Sequence, residues 1–392
     1  MKIGLSSRAL VSACVLCAAG LLALAPAAAV AHEGLDPDPP GGPRAAAIPR
    51  PALLYRSGTQ VHPLSGAPHL PRVSALSWLV ADADSGEVLA AYDAHRRLPP
   101  ASTLKTLFAL TLLPALPVGV PHTVRQEELA GIGPGSSLVG VAEGRTYRIA
   151  DLWRGVFLSS GNDAVHVLAA LNGGWRTTAA RMQEKARSLG ALDTRVVSPD
   201  GYDTPGQVSS AYDLAVFGRA GLRNAEFARY CGTAVASFPG GGGWAYPIRN
   251  TNRLLTGADG VDPYPGLIGI KNGYTSKAGN TLVAAARRGG RTLVVTVLNP
   301  RAGGGHAVYE EAGELLDWGF GAAGRVEPVG SLDGLRARPR PGPATVPVVA
   351  AVTPEGEAPG WAEACAIAGA AGMGAGAVSL VTRGRVEPSE AD

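Results

Sequence analysis

The 392-residue chain predicts an α/β fold of the α+β type: one sheet assembled from segments far apart in sequence, with a helical subdomain inserted between them. Three observations carry this expectation. Strand-like apolar runs gather at 75–94 and again at 266–299, and the stretch between them is dominated by helical spacing. Hydrophobic residues make up 46% of the chain and charged residues 17%, ample for a large core. A net charge of +3 is too weak a bias to argue for a nucleic-acid partner.

Residues 1–31 have the pattern of an export signal. Lys2 and Arg8 supply the positive start, "ALVSACVLCAAGLLALA" the apolar core, and "AVA" at 29–31 a small-x-small cleavage site before His32. An uncleaved anchor and lipidation at Cys14 are the rival readings; the apolar run before "VSAC" is short for the latter. Residues 32–70 are Pro/Gly-rich and unperiodic, which predicts a linker with order beginning near Pro71. "ALSWLVADADSGEVLAAYDA" reads as two strands around a turn, and "RRLPPASTLKTLFALTLL" as a helix entered after two prolines. A strand-poor region follows, with helices at "IADLWRGVFLSSGNDAVHVLAAL", "TAARMQEKARSLGAL" and the serine-capped "SSAYDLAVFGRAGL". "GLIGIKNGYTSKAGNTLVAAARRGGRTLVVTVLN" returns to strand character, and "AVYEEAGELLDWGF" closes the folded domain, 71–323, as an amphipathic helix.

Beyond it, 324–360 is a Pro-rich linker, 361–382 a candidate membrane anchor and 383–392 a short tail. The uncharged run 364–381 is near bilayer-spanning length, with Arg383 and Arg385 after it; a disordered tail is the alternative. Cys14 and Cys17 leave with the signal, so Cys231 and Cys365 give no disulfide framework. The seven histidines show no metal-ligand spacing.

Positive charge is written almost entirely as arginine. Of 35 Lys+Arg only five are lysine, at 2, 105, 185, 271 and 277. Lys105 stands three residues after Ser102, so the two share a helix face. A serine hydroxyl needs a base, and a buried amine can become one, whereas a guanidinium stays protonated. Ser160-Gly161-Asn162 places a hydroxyl and a carboxamide in a break between helical patterns. Lys271-Asn272-Gly273 ends an apolar strand, with a glycine that leaves room for close approach. Taken singly, these are equally a surface Ser/Lys pair, a helix cap and a strand-end turn.

Taken together, S-x-x-K, S-x-N and K-x-G in that order resemble the penicillin-recognising serine enzymes. "SPDGYD", "SSAYDLA", "NTNRLL", "IKNGYTSKAGNTLVAAARR" and "ELLDWGF" narrow the resemblance to the serine-type D-alanyl-D-alanine carboxypeptidases, the low-molecular-weight penicillin-binding proteins. It covers roughly 71–323. The resemblance implies a β-lactamase/transpeptidase-like antiparallel sheet flanked by helices, and no metal or cofactor. It implies that Ser102 is the acyl-forming nucleophile, Lys105 its base, and Ser160 a proton relay to the leaving amine. Asn162 would hold the substrate amide and steady Lys105. Lys271 would supply positive potential, with Thr275 and Arg301 helping to hold the terminal carboxylate. The N–H groups of Ser102 and Tyr274 would form the oxyanion hole. The substrates implied are peptidoglycan stem peptides, with β-lactams as covalent inhibitors. Asn272 departs from the family's usual Thr or Ser at this position, so altered substrate or β-lactam preference is expected. A class A β-lactamase is the nearest rival, but no E-x-x-L-N loop occurs between 163 and 270. A slow β-lactam sensor or wall-binding domain is the non-enzymatic one. A Ser-His-Asp hydrolase is disfavoured by the lack of G-x-S-x-G.

Overall fold

In the computed structural model, which describes residues 53–333, the two strand-rich ends of the folded domain meet in one sheet. The chain enters with β1 (Thr59–Pro63), β2 (Ala75–Asp82) and β3 (Glu87–Tyr92), then a 3₁₀ turn, Ala101–Leu104, runs into α1 (Lys105–Leu112). A small hairpin of β4 (Pro121–Thr123) and β5 (Thr146–Arg148) precedes the helices α2 (Ile149–Leu158), α3 (Asn162–Leu171), α4 (Trp175–Ser188), α5 (Ala211–Leu222) and α6 (Ala225–Cys231). A second hairpin, β6 (Val235–Gly241) with β7 (Trp244–Arg249), and the single turn α7 (Arg253–Thr256) lead back to the sheet. There the chain adds β8 (Leu267–Thr275), β9 (Gly279–Arg288) and β10 (Arg291–Pro300), then α8 (Ala307–Ala322) and the short β11 (Val326–Glu327) and β12 (Gly330–Ser331).

The eight-stranded order is β11-β1-β3-β2-β10-β9-β8, with β12 paired to β3 and every pair antiparallel. The seam between the two sequence-distant halves is β2 against β10, where Leu79 faces Thr296 and Val80 faces Val295. Both sheet faces are covered, which explains why these strands read as unbroken apolar runs rather than as alternation. On one face Leu79, Ala81, Val283, Ala285 and Val294 pack with α1, α2, α3 and α5 in the larger core. On the other Trp78, Val80, Leu282, Ala284 and Val295 meet Val308, Leu315 and Leu316 of α8. The period-two split is what strand geometry demands once both sides are dry.

Three expectations change. The linker assigned to 32–70 contains β1, which pairs with β3 and β11, so regular structure begins before Pro71. The domain likewise continues past 323 through β11 and β12. The middle is not strand-poor throughout, since it holds the hairpins β4–β5 and β6–β7. Ser210 does cap α5, accepting from the Asp213 N–H at 3.1 Å. Among the described residues no helix is long and apolar enough to cross a membrane. The export signal 1–31, most of the Pro-rich linker and the candidate anchor 361–382 lie outside the described residues.

Candidate active site

The prolines before Ser102 set up an unusual start to α1. Pro99 and Pro100 stop any regular helix upstream, and Ala101 takes φ +49, a left-handed conformation rare for a residue with a side chain. The chain then makes a 3₁₀ turn, not the α-helical start that was expected. In a 3₁₀ turn residues i and i+3 eclipse, so Ser102 and Lys105 line up one above the other. Their polar atoms are 2.7 Å apart, Nζ to Oγ. The turn is pinned from two sides. Thr103 and Thr281 both donate to the Pro100 carbonyl, at 2.5 and 3.0 Å. Gly201, at φ +81, passes so close that a Cβ there would fall 2.1 Å from the Ala101 carbonyl oxygen.

Lys105 is 1% exposed. Burial disfavours its charged form and brings the amine down to about 8, against the opposing pull of the Asp200 and Asp163 carboxylates. Its Nζ also lies 3.4 Å from Ser160 Oγ, so one amine bridges both serines. Ser160 sits between α2 and α3 at φ +56, a second strained residue beside the first.

Asn162 opens α3 and is 4% exposed. Its Nδ2 donates to Ser136 Oγ at 3.0 Å and to Asp200 Oδ2 at 3.2 Å. No hydrogen bond joins it to Lys105 among the described residues. Its Oδ1 is buried with no hydrogen-bond partner among the described residues, an acceptor with spare capacity. Asp163 fixes the neighbouring loop by accepting from the N–H groups of Val139, Gly140 and Val141.

The sheet wall is β8, an edge strand. A Cβ on Gly273 would lie 2.6 Å from the Ser102 nitrogen, so only glycine lets the strand run beneath Ser102. Lys271 is 1% exposed and donates to the Asn272 carbonyl at 2.8 Å and to Asn272 Oδ1 at 3.4 Å. Burial, then the Lys105 charge, push its amine well below the usual lysine range. It makes no hydrogen bond to Ser160 among the described residues. Asn272 Oδ1 also accepts from Thr251 Oγ1 at 3.0 Å, so the residue that departs from the family pattern is tied into the floor beside Lys271. Tyr274, the next residue on β8, is 67% exposed. Thr275 Oγ1 donates to Asp203 Oδ1 at 2.7 Å. Arg301 stands apart: its side chain is exposed, its backbone N–H donates to Ser74 Oγ at 3.0 Å, and among the described residues no hydrogen bond or ion pair ties it to the cleft.

Ser136, Asp200 and Asp203 went unassigned in sequence. Both aspartates lie within the quoted "SPDGYD", whose Pro and Gly mark a loop that carries no periodicity to say which carboxylate faces the cleft.

Comparison with known proteins now bears on this geometry. Residues 65–302 match the family model described as D-alanyl-D-alanine carboxypeptidase. The chain is 40% identical over 275 residues to the D-alanyl-D-alanine carboxypeptidase DacB2 of Mycobacterium tuberculosis, covering 69% of this chain and 90% of the relative. It is similar to the crystal structure of a D-alanyl-D-alanine carboxypeptidase from Mycobacterium tuberculosis H37Rv, with a TM-score of 0.63 and 39% identity over 69% of this chain and 100% of that one. Penicillin binding protein 6B from Escherichia coli is also similar, with a TM-score of 0.58 and 32% identity over 66% and 80% of the respective chains.

Proposed function

The chain belongs to the D-alanyl-D-alanine carboxypeptidase family, and we propose that Ser102 is the nucleophile with which it removes the terminal D-alanine from peptidoglycan stem pentapeptides. The observation that carries this assignment is the 2.7 Å contact between Ser102 Oγ and a buried Lys105 amine held at about 8. At pH 7 roughly one such amine in ten is neutral, against about one in three thousand for an ordinary lysine. That fraction can take the serine proton.

As Ser102 Oγ bonds to the penultimate D-Ala carbonyl carbon, its proton passes to Lys105 Nζ. The oxyanion settles between the N–H groups of Ser102 and Tyr274. The C–N bond breaks, and the proton returns from Lys105 through Ser160 to the departing D-Ala nitrogen. Asn162 Oδ1 receives the substrate's amide N–H. Lys271, whose charged form burial and Lys105 disfavour, is held protonated by the arriving terminal carboxylate and pairs with it, with Thr275 beside it. Water repeats the sequence on the ester and frees the acid. A β-lactam opens in the same first step, but its leaving nitrogen stays tethered and the adduct persists.

The test is D-Ala release from a diacetyl-Lys-D-Ala-D-Ala tripeptide. The wild type is expected to release D-Ala and Ser102→Ala to lose both release and penicillin labelling; equal release by the two would remove Ser102 from the chemistry. We further infer export through residues 1–31, work on the outer side of the membrane, and tethering through 361–382. Membrane fractionation of the full chain against one ending at 360 tests the tether, and full-length protein found only in the soluble fraction rejects it.

A further inference from the structure

The geometry points to Asp203 as a displaceable competitor for the substrate's terminal carboxylate, a specificity-determining residue of the same cleft. This rests on the reading above that Thr275 lies where that carboxylate binds.

A threonine hydroxyl has one proton to give. At Thr275 that proton goes to Asp203 Oδ1, 2.7 Å away. Thr275 Oγ1 itself already accepts from the Ala278 N–H at 3.1 Å. What remains to Thr275 Oγ1 is acceptor capacity, and a carboxylate is an acceptor only. Thr275 therefore cannot donate to a substrate carboxylate while Asp203 holds it. Asp203 is held in turn by the Lys277 N–H at 3.2 Å on its other oxygen. Its charge also stands one hydroxyl away from the position that the substrate's charge must occupy, and like charges there repel.

Asp203 does not float free. It belongs to the loop whose Gly201 is packed against the Ala101 carbonyl beside the nucleophile and whose Tyr202 hydroxyl donates to the Pro134 carbonyl at 2.7 Å. That loop thus touches the nucleophile's turn, the wall bearing Ser136 and the far end of β8. A substrate carboxylate takes Thr275 from Asp203, and Asp203 turns toward solvent, to which it is already partly exposed. Asp203 in this role is a brake on affinity for carboxylate-terminated ligands, and its removal strengthens binding.

The experiment compares wild type, Asp203→Ala, Asp203→Asn and Thr275→Val on diacetyl-Lys-D-Ala-D-Ala, with the C-terminal carboxamide of the same peptide as a competitive ligand. Asp203→Ala is expected to lower KM about tenfold with kcat held within about twofold. Asp203→Asn, which keeps an acceptor but not the charge, is expected to lower it less. The carboxamide should bind both variants as it binds wild type, a split that loss of a merely structural support would not produce. Thr275→Val should raise KM for the acid. If it does and Asp203→Ala leaves KM unchanged or raises it, the competitor role is wrong and the carboxylate reading stands. If Thr275→Val has no effect on KM, both fall. Should Asp203→Ala fail to fold, Asp203→Asn decides by the same comparison.

Discussion

The two buried lysines of the cleft make an instructive pair. Each is 1% exposed, and burial is the largest influence on both. Their surroundings differ in charge. Lys105 lies in the field of Asp200 and Asp163, which hold its amine up against desolvation at about 8. Lys271 has Lys105 as its next influence, and the two effects act in the same direction. The carboxylates on the helical wall therefore keep Lys105 within reach of both protonation states near neutral pH, which is what a base that must accept and then return a proton requires. On the sheet wall no such support reaches Lys271, which leans instead on the carbonyl and side chain of Asn272.

The hardest blow to this contrast is Lys105→Arg, which keeps charge and removes basicity. Acylation by a fluorescent penicillin is expected to fall by at least about a thousandfold. Retained labelling would mean that position 105 supplies charge alone. Lys271→Arg is expected to act more mildly, raising KM for the tripeptide by about tenfold: burial and Lys105 disfavour charge on the Lys271 amine until a carboxylate arrives, and a guanidinium offers that carboxylate the same sign of charge in a different shape. A loss as deep as that of Lys105→Arg would erase the distinction.

The pH dependence sharpens the same contrast. The acylation rate should fall about tenfold per pH unit below about 8, as Lys105 takes up its proton. Asp200→Asn removes the largest influence raising that amine, so this limb should move to lower pH in the pH–rate profile. No movement would disconnect Asp200 from the base.

Stability follows the linked direction. The Lys105 amine titrates lower in the folded chain than in the unfolded one, so between about 8 and 10.5 the unfolded state binds more protons and stability rises with pH. Below about 8 the cost is fully present. Lys105→Met should therefore melt several degrees above wild type at pH 7, with the gap closing toward pH 10. A lower melting temperature at pH 7 would show that the lost Ser102 contact outweighs the relief.

The smallest expected effect is that of Asn272→Thr. A hydroxyl replaces a carboxamide that also holds Thr251, so the ratio of tripeptide turnover to penicillin acylation should shift by about threefold. An unchanged ratio would make the departure from the family pattern neutral.

Legibility in the sequence divides along the same two walls. β2, β3, β8, β9 and β10 are long, apolar and punctuated by turn residues, and so were readable. β1, β11 and β12 are short and polar, and they exist only because distant partners supply their hydrogen bonds. The Gly-rich turn of β6–β7 hid a hairpin for a related reason. At the site, Ser102, Lys105, Ser160 and Lys271 announced themselves by spacing and order. Asp200, Asp203 and Ser136 act across gaps in the chain, through loops whose geometry only the fold sets. Asp200 is thus the residue that sequence reasoning most needed, since it touches both Asn162 and the balance at Lys105.

The placement of β1 and β12 bears on how the molecule can be held. The described residues begin beside β1 and end after β12, which lies on β3, while Ser102 is seated over β8. Between β3 and β8 lie four strand spacings, about 19 Å. Both limits of the described residues therefore lie on the side of the sheet away from β8.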